Sequence, residues 1–181
     1  MKITSTSIKD LFIIEPKLFI DDRGYFMESY QKIWFSKNFP KINFIQDNES
    51  YSSYGVLRGL HFQTPPYSQT KLVRVILGEV LDVAVDLRKE SKTFGKYFSL
   101  KLSSSNKKQL LIPRGFAHGF VTLSKEAILS YKVDNIYNKQ HDMGIRFDDK
   151  TIDIDWKINS SNIRISPKDN NLPFLDNINL I

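Results

Sequence analysis

Short apolar, β-branched segments separated by turn residues recur along the middle of the chain. The run KLVRVIL (71–77) is followed by Gly78 and Glu79 and then by VLDVAVDL (80–87). Runs of the same kind follow at short, regular spacing, at 97–102, 109–113, 118–123 and 126–133. This pattern predicts β-strands, and the turn at Gly78 predicts that the first two strands form a hairpin. The predicted fold class is all-β, a sandwich, jelly roll or barrel that encloses a cavity between its sheets.

One helix is predicted ahead of these strands, over SYQKIWFSKNF (29–39). Tyr30, Ile33 and Trp34 recur there at helical spacing, and the helix is expected to end before the proline at position 40. The C-terminal segment has a mixed pattern, in which Pro167 is expected to act as a breaker. The chain should therefore contain only a few short helices.

Length and composition restrict the class of protein. A chain of 181 residues fits a single domain over 1–181 that can bury a core without a covalent or metal staple. It has no cysteine, which excludes disulfides, thiol chemistry and zinc–thiolate sites. The N-terminus lacks the apolar core of a secretory signal, and no apolar stretch is long enough to span a membrane. We therefore expect a soluble, cytoplasmic protein with no membrane partner.

The formal charge of +6 admits a nucleic acid, a membrane surface or an anionic small molecule as partner. The basic residues are scattered, and no run of four or more lysines and arginines occurs. This distribution disfavours a nucleic-acid surface. A phosphorylated small-molecule substrate fits it better.

A histidine pattern points to a site inside the predicted barrel. LIPRGFAHGF (111–120) contains P-x-G-x-x-H, which in jelly-roll cupins turns one strand into the next and aims the histidine, here His118, inward. Cupins that bind a metal also have an H-x-H pair in an earlier strand. The matching stretch here is His61-Phe62-Gln63, and strand alternation would aim residues 61 and 63 into the same cavity. Gln63 is a poor replacement for a histidine ligand, so metal catalysis is disfavoured, although a site of two histidines and carboxylates stays open as an alternative.

Three residues could act without a metal. Histidine is the side chain whose charge changes near neutral pH, so His61 is a candidate general base. Tyr131 shares a strand face with Leu129 and Val133, so it should point into the apolar interior. Lys71 opens a strand and could stabilise an oxyanion. Each of these residue types is more often ordinary core or surface, so the pattern alone predicts a small β-barrel enzyme or binding protein.

Five ordered segments carry a more specific signal. They are DDRGYFMESY (21–30), IQDNESYSSYGVLRGLHFQ (45–63), KLVRVILGEVLDVAVDLRKESKTFGK (71–96), QLLIPRGFAHGFVTLS (109–124) and YKVDNIYN (131–138). Together they resemble the dTDP-4-dehydrorhamnose 3,5-epimerase family, and the resemblance runs from about residue 3 to residue 169. It implies a cupin-like jelly roll, a homodimer with exchange of a strand or segment, and no cofactor or metal.

The resemblance also implies catalytic roles. His61, in RGLHFQ, matches the family's catalytic base, and Asp169, in SPKD, matches the carboxylate that orients and charges it. Tyr131 matches the acid on the opposite face of the sugar. Lys71 and Arg58 match residues that bind near the sugar and the diphosphate.

Further positions match the family's substrate contacts. His118 and Lys168 match contacts to the substrate, Gln46 and Asn48 match polar groups on the diphosphate, and Tyr137 matches an aromatic residue that stacks on the base. Arg23, Phe26 and Glu28 fall in a nucleotide-binding block that, in this family, reaches into the partner subunit's site. Two positions depart from the family: Asp142 stands where a glutamate is common, and Phe147 replaces a tryptophan. These departures bear on substrate identity rather than on the catalytic set.

The implied reaction is epimerisation at C3 and C5 of a nucleotide-linked 4-keto sugar, for bacterial surface polysaccharide synthesis. The substrate could be a dTDP-linked 6-deoxyhexose or a GDP-linked heptose. Alternatives are a C3-only epimerase, a metal-dependent cupin enzyme and a non-catalytic cupin that binds sugar nucleotides. The last is disfavoured because a binding protein needs neither an acid nor a base.

Overall fold

The computed structural model describes residues 1–178, and antiparallel strands dominate it. The last three residues, which the expected single domain includes, lie outside the described part. The strands within it are β1 (Lys2–Ser5), β2 (Phe12–Glu15), β3 (Phe19–Asp21), β4 (Gly24–Phe26), β5 (Gln46–Ser53), β6 (Leu57–Gln63), β7 (Lys71–Leu77), β8 (Glu79–Asp86), β9 (Tyr97–Ser103), β10 (Gln109–Ile112), β11 (Phe116–Thr122), β12 (Glu126–Val133) and β13 (Asp142–Gly144). The helices are α1 (Lys32–Asn38) and α2 (Pro167–Asn170), with 3₁₀ turns at Lys139–His141, Ser160–Asn162 and Leu175–Asn177. Over residues 1–178, no helix is long and apolar enough to cross a membrane.

Two sheets form the body of the fold. A six-stranded sheet has the order β1-β2-β10-β7-β12-β5, and a five-stranded sheet has the order β13-β6-β11-β8-β9. Strands β3 and β4 form a separate two-stranded ribbon. From β6 to β8 the chain moves to the other sheet at each step, which is the connectivity of a jelly roll. The prediction of an all-β jelly roll is thus confirmed.

The predicted hairpin between residues 71–77 and 80–87 is wrong. β7 pairs with β10 and β12, whereas β8 pairs with β11 and β9. Only Gly78 separates the two strands, and hairpins of this kind need a loop of about two residues. Gly78 has φ +76°, and a Cβ there would lie 2.0 Å from the carbonyl oxygen of Glu126. The glycine therefore turns the chain from one sheet into the other.

The predicted helix exists but is shorter than the expected 29–39, and Tyr30 and Trp34 pack in the same apolar cluster while Ile33 does not. Helix α1 begins after Gln31, whose side-chain oxygen accepts a hydrogen bond from the Trp34 backbone N–H. Phe35 is its buried residue and packs on the outer face of the six-stranded sheet, while Ile33 is 79% exposed. In so short a helix, the flanking aromatic residues at 30, 39 and 44 decide which side faces the sheet.

The main core lies between the sheets and leaves one region for polar side chains. It contains apolar residues from both sheets, among them Val73, Val80, Leu110, Phe120 and Leu129. A second core lies on the outer face of the five-stranded sheet, where residues from the C-terminal segment cover it. Because this cover continues into α2, it also brings the C-terminal segment against β6, and this contact helps to build the candidate site.

Candidate active site

A cavity of about 570 Å³ opens between the two sheets, and its wall contains six of the predicted site residues. It is lined by Ser50, Val56, Leu57, Arg58, His61, Lys71, His118, Gly119, Phe120, Leu129, Tyr131, Arg164, Ile165, Ser166 and Asp169. All four predicted catalytic residues are in this list, together with two predicted substrate contacts, Arg58 and His118. The fold therefore gathers, in one place, residues that are up to 111 positions apart in the chain.

A bulge in β6 aims both Arg58 and His61 at the cavity. His61 lies opposite His118 and Arg58 lies opposite Phe120, so β6 uses one more residue than β11 between these pairs. Gly59 sits in the bulge with φ +119°, and a Cβ there would lie 2.6 Å from the Cα of Gly119. In a regular strand, residues three apart would face opposite sides. Because Gly59 and Gly119 have no side chains, β6 can bulge against β11, and the bulge places Arg58 and His61 on the same face.

A histidine–carboxylate pair forms the clearest chemical group in the cavity. His61 Nε2 lies 2.9 Å from Asp169 Oδ1, and the other oxygen, Oδ2, accepts a hydrogen bond from the Gly59 N–H at 3.1 Å. Asp169 is buried in the single turn of α2, which is capped by the Ser166 hydroxyl. Burial by itself would raise the pKa of Asp169, but the bond to His61 and the Gly59 N–H outweigh it and the pKa is lowered. The carboxylate is thus held ionised beside the imidazole.

Pro167, expected to be a breaker, instead starts this turn. It occupies the first helical position, where its missing N–H costs nothing because the first N–H groups of a helix have no partner inside the helix. The neighbouring Lys168 points outward, and Asp169 points inward. The short helix is therefore the element that delivers the carboxylate to His61.

Two residues of the six-stranded sheet face this pair across the cavity. Tyr131 packs against the inter-sheet core, and burial raises the pKa of its hydroxyl, which Arg58 opposes and Asp142 reinforces. The tyrosine is therefore protonated over the whole neutral range. Lys71 shares its strand face with Val73 and Val75, and burial lowers the pKa of its ammonium to about 8. The negative charges of Asp82 and Asp142 limit that shift, so most of the lysine is cationic at neutral pH.

A second histidine–carboxylate pair lies deeper in the barrel. His118 Nε2 is 2.9 Å from Asp82 Oδ2, and Asp82 has no exposed surface. The other Asp82 oxygen has no hydrogen-bond partner among residues 1–178. Asp82 was not predicted as a site residue, although the alternation in VLDVAVDL leaves an acid between Val80 and Ala84 on the inner face. A buried carboxylate needs a cation or a hydrogen-bond donor nearby. From the sequence, this requirement could have indicated that Asp82 pairs with an inward-facing basic side chain.

A third group lies beside the cavity. Asp142 Oδ2 accepts hydrogen bonds from Lys168 Nζ at 2.7 Å and from the Tyr137 hydroxyl at 3.2 Å. Tyr137 is 58% exposed, so its ring is accessible to a bound molecule. The short side chain at 142, where the resembling family commonly has glutamate, thus still reaches the predicted lysine and tyrosine.

The remaining predicted residues do not line this cavity. Gln46 and Asn48 lie on the edge strand β5, bond to each other at 2.8 Å, and place Asn48 opposite Tyr131. Arg23 and Phe26 lie on the β3–β4 ribbon and Glu28 follows it, away from the cavity of the same chain. Arg23 forms an ion pair with Asp21 there.

The family follows from comparison with known proteins. The family model for dTDP-4-dehydrorhamnose 3,5-epimerase matches residues 5–177. The chain belongs to this family. A dTDP-4-dehydrorhamnose 3,5-epimerase from Shigella flexneri is 52% identical over 178 residues, which covers 97% of each chain. The chain is thus an isomerase of the nucleotide-4-keto-sugar 3,5-epimerase class.

Solved structures of the family agree with the fold of this epimerase. The crystal structure of dTDP-4-dehydrorhamnose 3,5-epimerase from Elizabethkingia anophelis NUHP1 has a TM-score of 0.93 and 50% identity, covering 97% of both chains. A dTDP-6-deoxy-D-glucose-3,5-epimerase from Legionella pneumophila, in complex with dTDP-4-keto-L-rhamnose, has a TM-score of 0.94 and 44% identity, covering 98% of this chain and 94% of that chain. The cupin-like jelly roll predicted for the chain is confirmed.

A metal-dependent cupin enzyme would need a set of metal ligands, and the described part of this epimerase lacks one. Over residues 1–178, no three histidine or acidic side chains are grouped closely enough to hold a metal ion. The side chain of Gln63, at the position of the second cupin histidine, bonds to backbone groups of two loops instead. The expectation that no metal or cofactor takes part stays a prediction.

Proposed function

We propose that this epimerase inverts C3 and C5 of a dTDP-linked 4-keto-6-deoxyhexose. The observation that carries the proposal is that His61, on one sheet and paired with Asp169 of α2, lines the same cavity as Tyr131 on the other sheet. Inversion needs a base on one face of the sugar ring and an acid on the other. The choice of dTDP and of a 6-deoxyhexose rests on the relatives, whose names and bound ligand specify them.

In the proposed reaction, His61 removes the proton from the carbon next to the C4 carbonyl. Its Nε2–H donates to Asp169, which leaves Nδ1 unprotonated and able to accept that proton. The electron pair of the C–H bond moves to the C4 oxygen and forms an enolate. Asp169 stabilises the imidazolium that results, as in other histidine–carboxylate pairs.

The enolate is stabilised by the cation of Lys71, which lines the same cavity. A pre-organised donor of this kind lowers the barrier by about 3–4 kcal/mol. Tyr131 then gives its hydroxyl proton to the carbon from the opposite face, the C4 carbonyl re-forms, and the centre is inverted. Solvent reprotonates Tyr131 and takes the proton from His61, after which the second carbon reacts in the same way.

Cationic and aromatic groups beside the reacting centre suit a nucleoside diphosphate. Arg58 lines the cavity, Lys168 lies next to Asp169 in α2, and the exposed ring of Tyr137 is available to stack on the base. We propose that Gln46 and Asn48, at the sheet edge, contact the diphosphate.

A homodimer would complete the site. Phe19, Ile20, Tyr25 and Phe26 of the β3–β4 ribbon are each at least half exposed, which is an unusual apolar surface. We propose that the ribbon packs on a partner subunit and presents Arg23, Phe26 and Glu28 to the partner's site. A cytoplasmic location and a role in surface-polysaccharide synthesis stay predictions.

The direct test is incubation of the protein with dTDP-4-keto-6-deoxyglucose in deuterated water, read by NMR and mass spectrometry. We expect inverted product with solvent deuterium at C3 and C5, at a rate that a chelator leaves unchanged. Deuterium at C3 alone would assign a C3-only epimerase. Turnover of a GDP-linked 4-keto heptose, but not of the dTDP-linked sugar, would overturn the substrate assignment.

A further inference from the structure

Gln63 is a buried side chain whose hydrogen bonds all go to two loops. It ends β6, two residues after His61, and is 7% exposed. Its amide nitrogen donates to the carbonyl of Tyr67 at 2.7 Å and to the carbonyl of Ile136 at 3.0 Å. Its amide oxygen accepts from the backbone N–H of Asn138 at 2.7 Å. Both donors and an acceptor site of the amide are therefore used.

The bonds to Ile136 and Asn138 lie on either side of Tyr137. The loop that carries this tyrosine joins β12 to the 3₁₀ turn at Lys139–His141 and has no sheet partner of its own. Gln63 thus holds the backbone on both sides of Tyr137, and we call these hydrogen bonds the Gln63 clamp. The bond to Tyr67 also connects this clamp to the loop that leads into β7 and Lys71.

Asp142, which lies beside the cavity, fixes the same loop from a second side. Asp142 pairs with Gln63 in the backbone register of β13 and β6. Its carboxylate binds the Tyr137 hydroxyl and Lys168. The backbone and the hydroxyl of Tyr137 are therefore both fixed by groups anchored at the end of β6.

We propose that Gln63 is a positioning residue that pre-orders Tyr137 for the nucleotide part of the substrate. This inference rests on the function proposed above, in which Tyr137 stacks on the base. An ordered loop does not have to lose its conformational freedom when the ligand binds, so pre-ordering strengthens ground-state binding. Gln63 does not line the cavity and forms no hydrogen bond with any of the four catalytic side chains, so we assign it no part in the proton transfers.

A glutamine suits this position for a chemical reason. A glutamate would place an acceptor against the carbonyls of Tyr67 and Ile136, and a methionine would leave both carbonyls and the Asn138 N–H without a partner. The same amide stands where metal-binding cupins have their second histidine. In this chain the position serves the loop rather than a metal.

The test compares Gln63→Met and Gln63→Glu with the wild type, using dTDP binding by calorimetry and steady-state kinetics with dTDP-4-keto-6-deoxyglucose. We expect the Kd for dTDP and the KM to rise together by about 10- to 100-fold, with kcat within about threefold. The matched control is Asn106→Asp, which changes an amide that holds a distant turn at 103–108. It should leave both constants unchanged.

A double-mutant cycle separates positioning from general loop damage. If Gln63 acts through Tyr137, Gln63→Met should add less than about twofold to the KM of Tyr137→Ala. Full multiplication of the two effects would overturn the inference, as would a fall in kcat with KM unchanged in a folded variant. If Gln63→Glu does not fold, the near-isosteric methionine variant carries the comparison.

The outcome for the wild type keeps the two proposals apart. Wild-type protein that binds dTDP but epimerises no dTDP-linked sugar would overturn the proposed function, and the dTDP titrations would still decide the role of Gln63. Wild-type protein that does not bind dTDP would overturn both.

Discussion

Replacement of Asp169 by asparagine removes the charge behind His61 and keeps the shape of the side chain. The carboxylate lies 2.9 Å from His61 Nε2 and its side chain is 7% exposed, so little water can replace it. Asparagine can still accept the Gly59 N–H bond, which should preserve the bulge in β6. The variant therefore tests the charge rather than the fold.

The size of the effect follows from the geometry. Two unit charges about 4 Å apart interact by about 4 kcal/mol at an effective dielectric constant of about 20. Because the His61 side chain is 32% exposed, solvent screens part of this, and we expect about 1–2 kcal/mol of lost imidazolium stabilisation. That corresponds to a roughly 5- to 30-fold slower proton abstraction. An asparagine amide that donates to Nε2 would also favour the unproductive tautomer, so the full loss should be at least about 10-fold.

The assay is the rate of solvent deuterium entry at C3 and C5, followed by NMR with enzyme and substrate in one tube. Asp148→Asn is the matched control, because Asp148 pairs with Arg146 at the surface and lies outside the cavity. Binding of dTDP should be unchanged in both variants. An exchange rate for Asp169→Asn within about twofold of the control would refute the assigned role.

Three further predictions concern the base, the lysine and the bulge. His61→Asn should stop deuterium entry at both carbons while leaving dTDP binding intact; exchange at either carbon would show that another base serves it. Activity should fall as the pH rises through about 8, because Lys71 loses its proton there. Asp82→Asn should move this alkaline limb of the pH–rate profile to lower pH, because the negative charge of Asp82 raises the pKa of Lys71. An alkaline limb that stays in place in Asp82→Asn would contradict this coupling. Gly59→Ala should lower the free energy of unfolding by about 1–3 kcal/mol in chemical denaturation and also reduce turnover, since its Cβ would meet Gly119 and φ is +119°; unchanged values would mean that the bulge is not required.

Apolar, β-branched runs predicted the strands from β7 to β12, because such runs depend on local burial, whereas the strands β1–β5 and β13 were not predicted. β12 was predicted at its observed bounds, and the Pro113–Gly115 turn between β10 and β11 was also predicted. Strand pairing was not predictable in the same way, because the choice of partner depends on contacts distant in the chain. The false hairpin at Gly78 is the example: both flanking strands look alike in sequence, yet they belong to different sheets.

The candidate site was predicted from family resemblance more than from pattern. Nothing local in SPKD indicates that Asp169 lies against His61, since that contact is made only when the C-terminal segment covers the five-stranded sheet. The role of the glycine in RGLHFQ was also hidden, because a bulge is visible only in the register between strands. Asp82 was missed because its visible partner is another side chain, His118. The expectation that Gln63 faces the cavity beside His61 is wrong, because its side chain bonds to the backbone of two loops.

The central claim, a base and an acid on opposite walls of one cavity, is tested most directly with Tyr131→Phe. This change removes only the hydroxyl, so the folded core that the ring supports should survive. The measurement follows deuterium entry and inverted product in the same sample of dTDP-4-keto-6-deoxyglucose in deuterated water. The account predicts that His61 still exchanges the C–H bond with retention, while inverted product falls by about 100-fold or more, the lower end of what a positioned general acid contributes. An unchanged yield of inverted sugar would contradict it, because the acid on the far wall would then have to be another group.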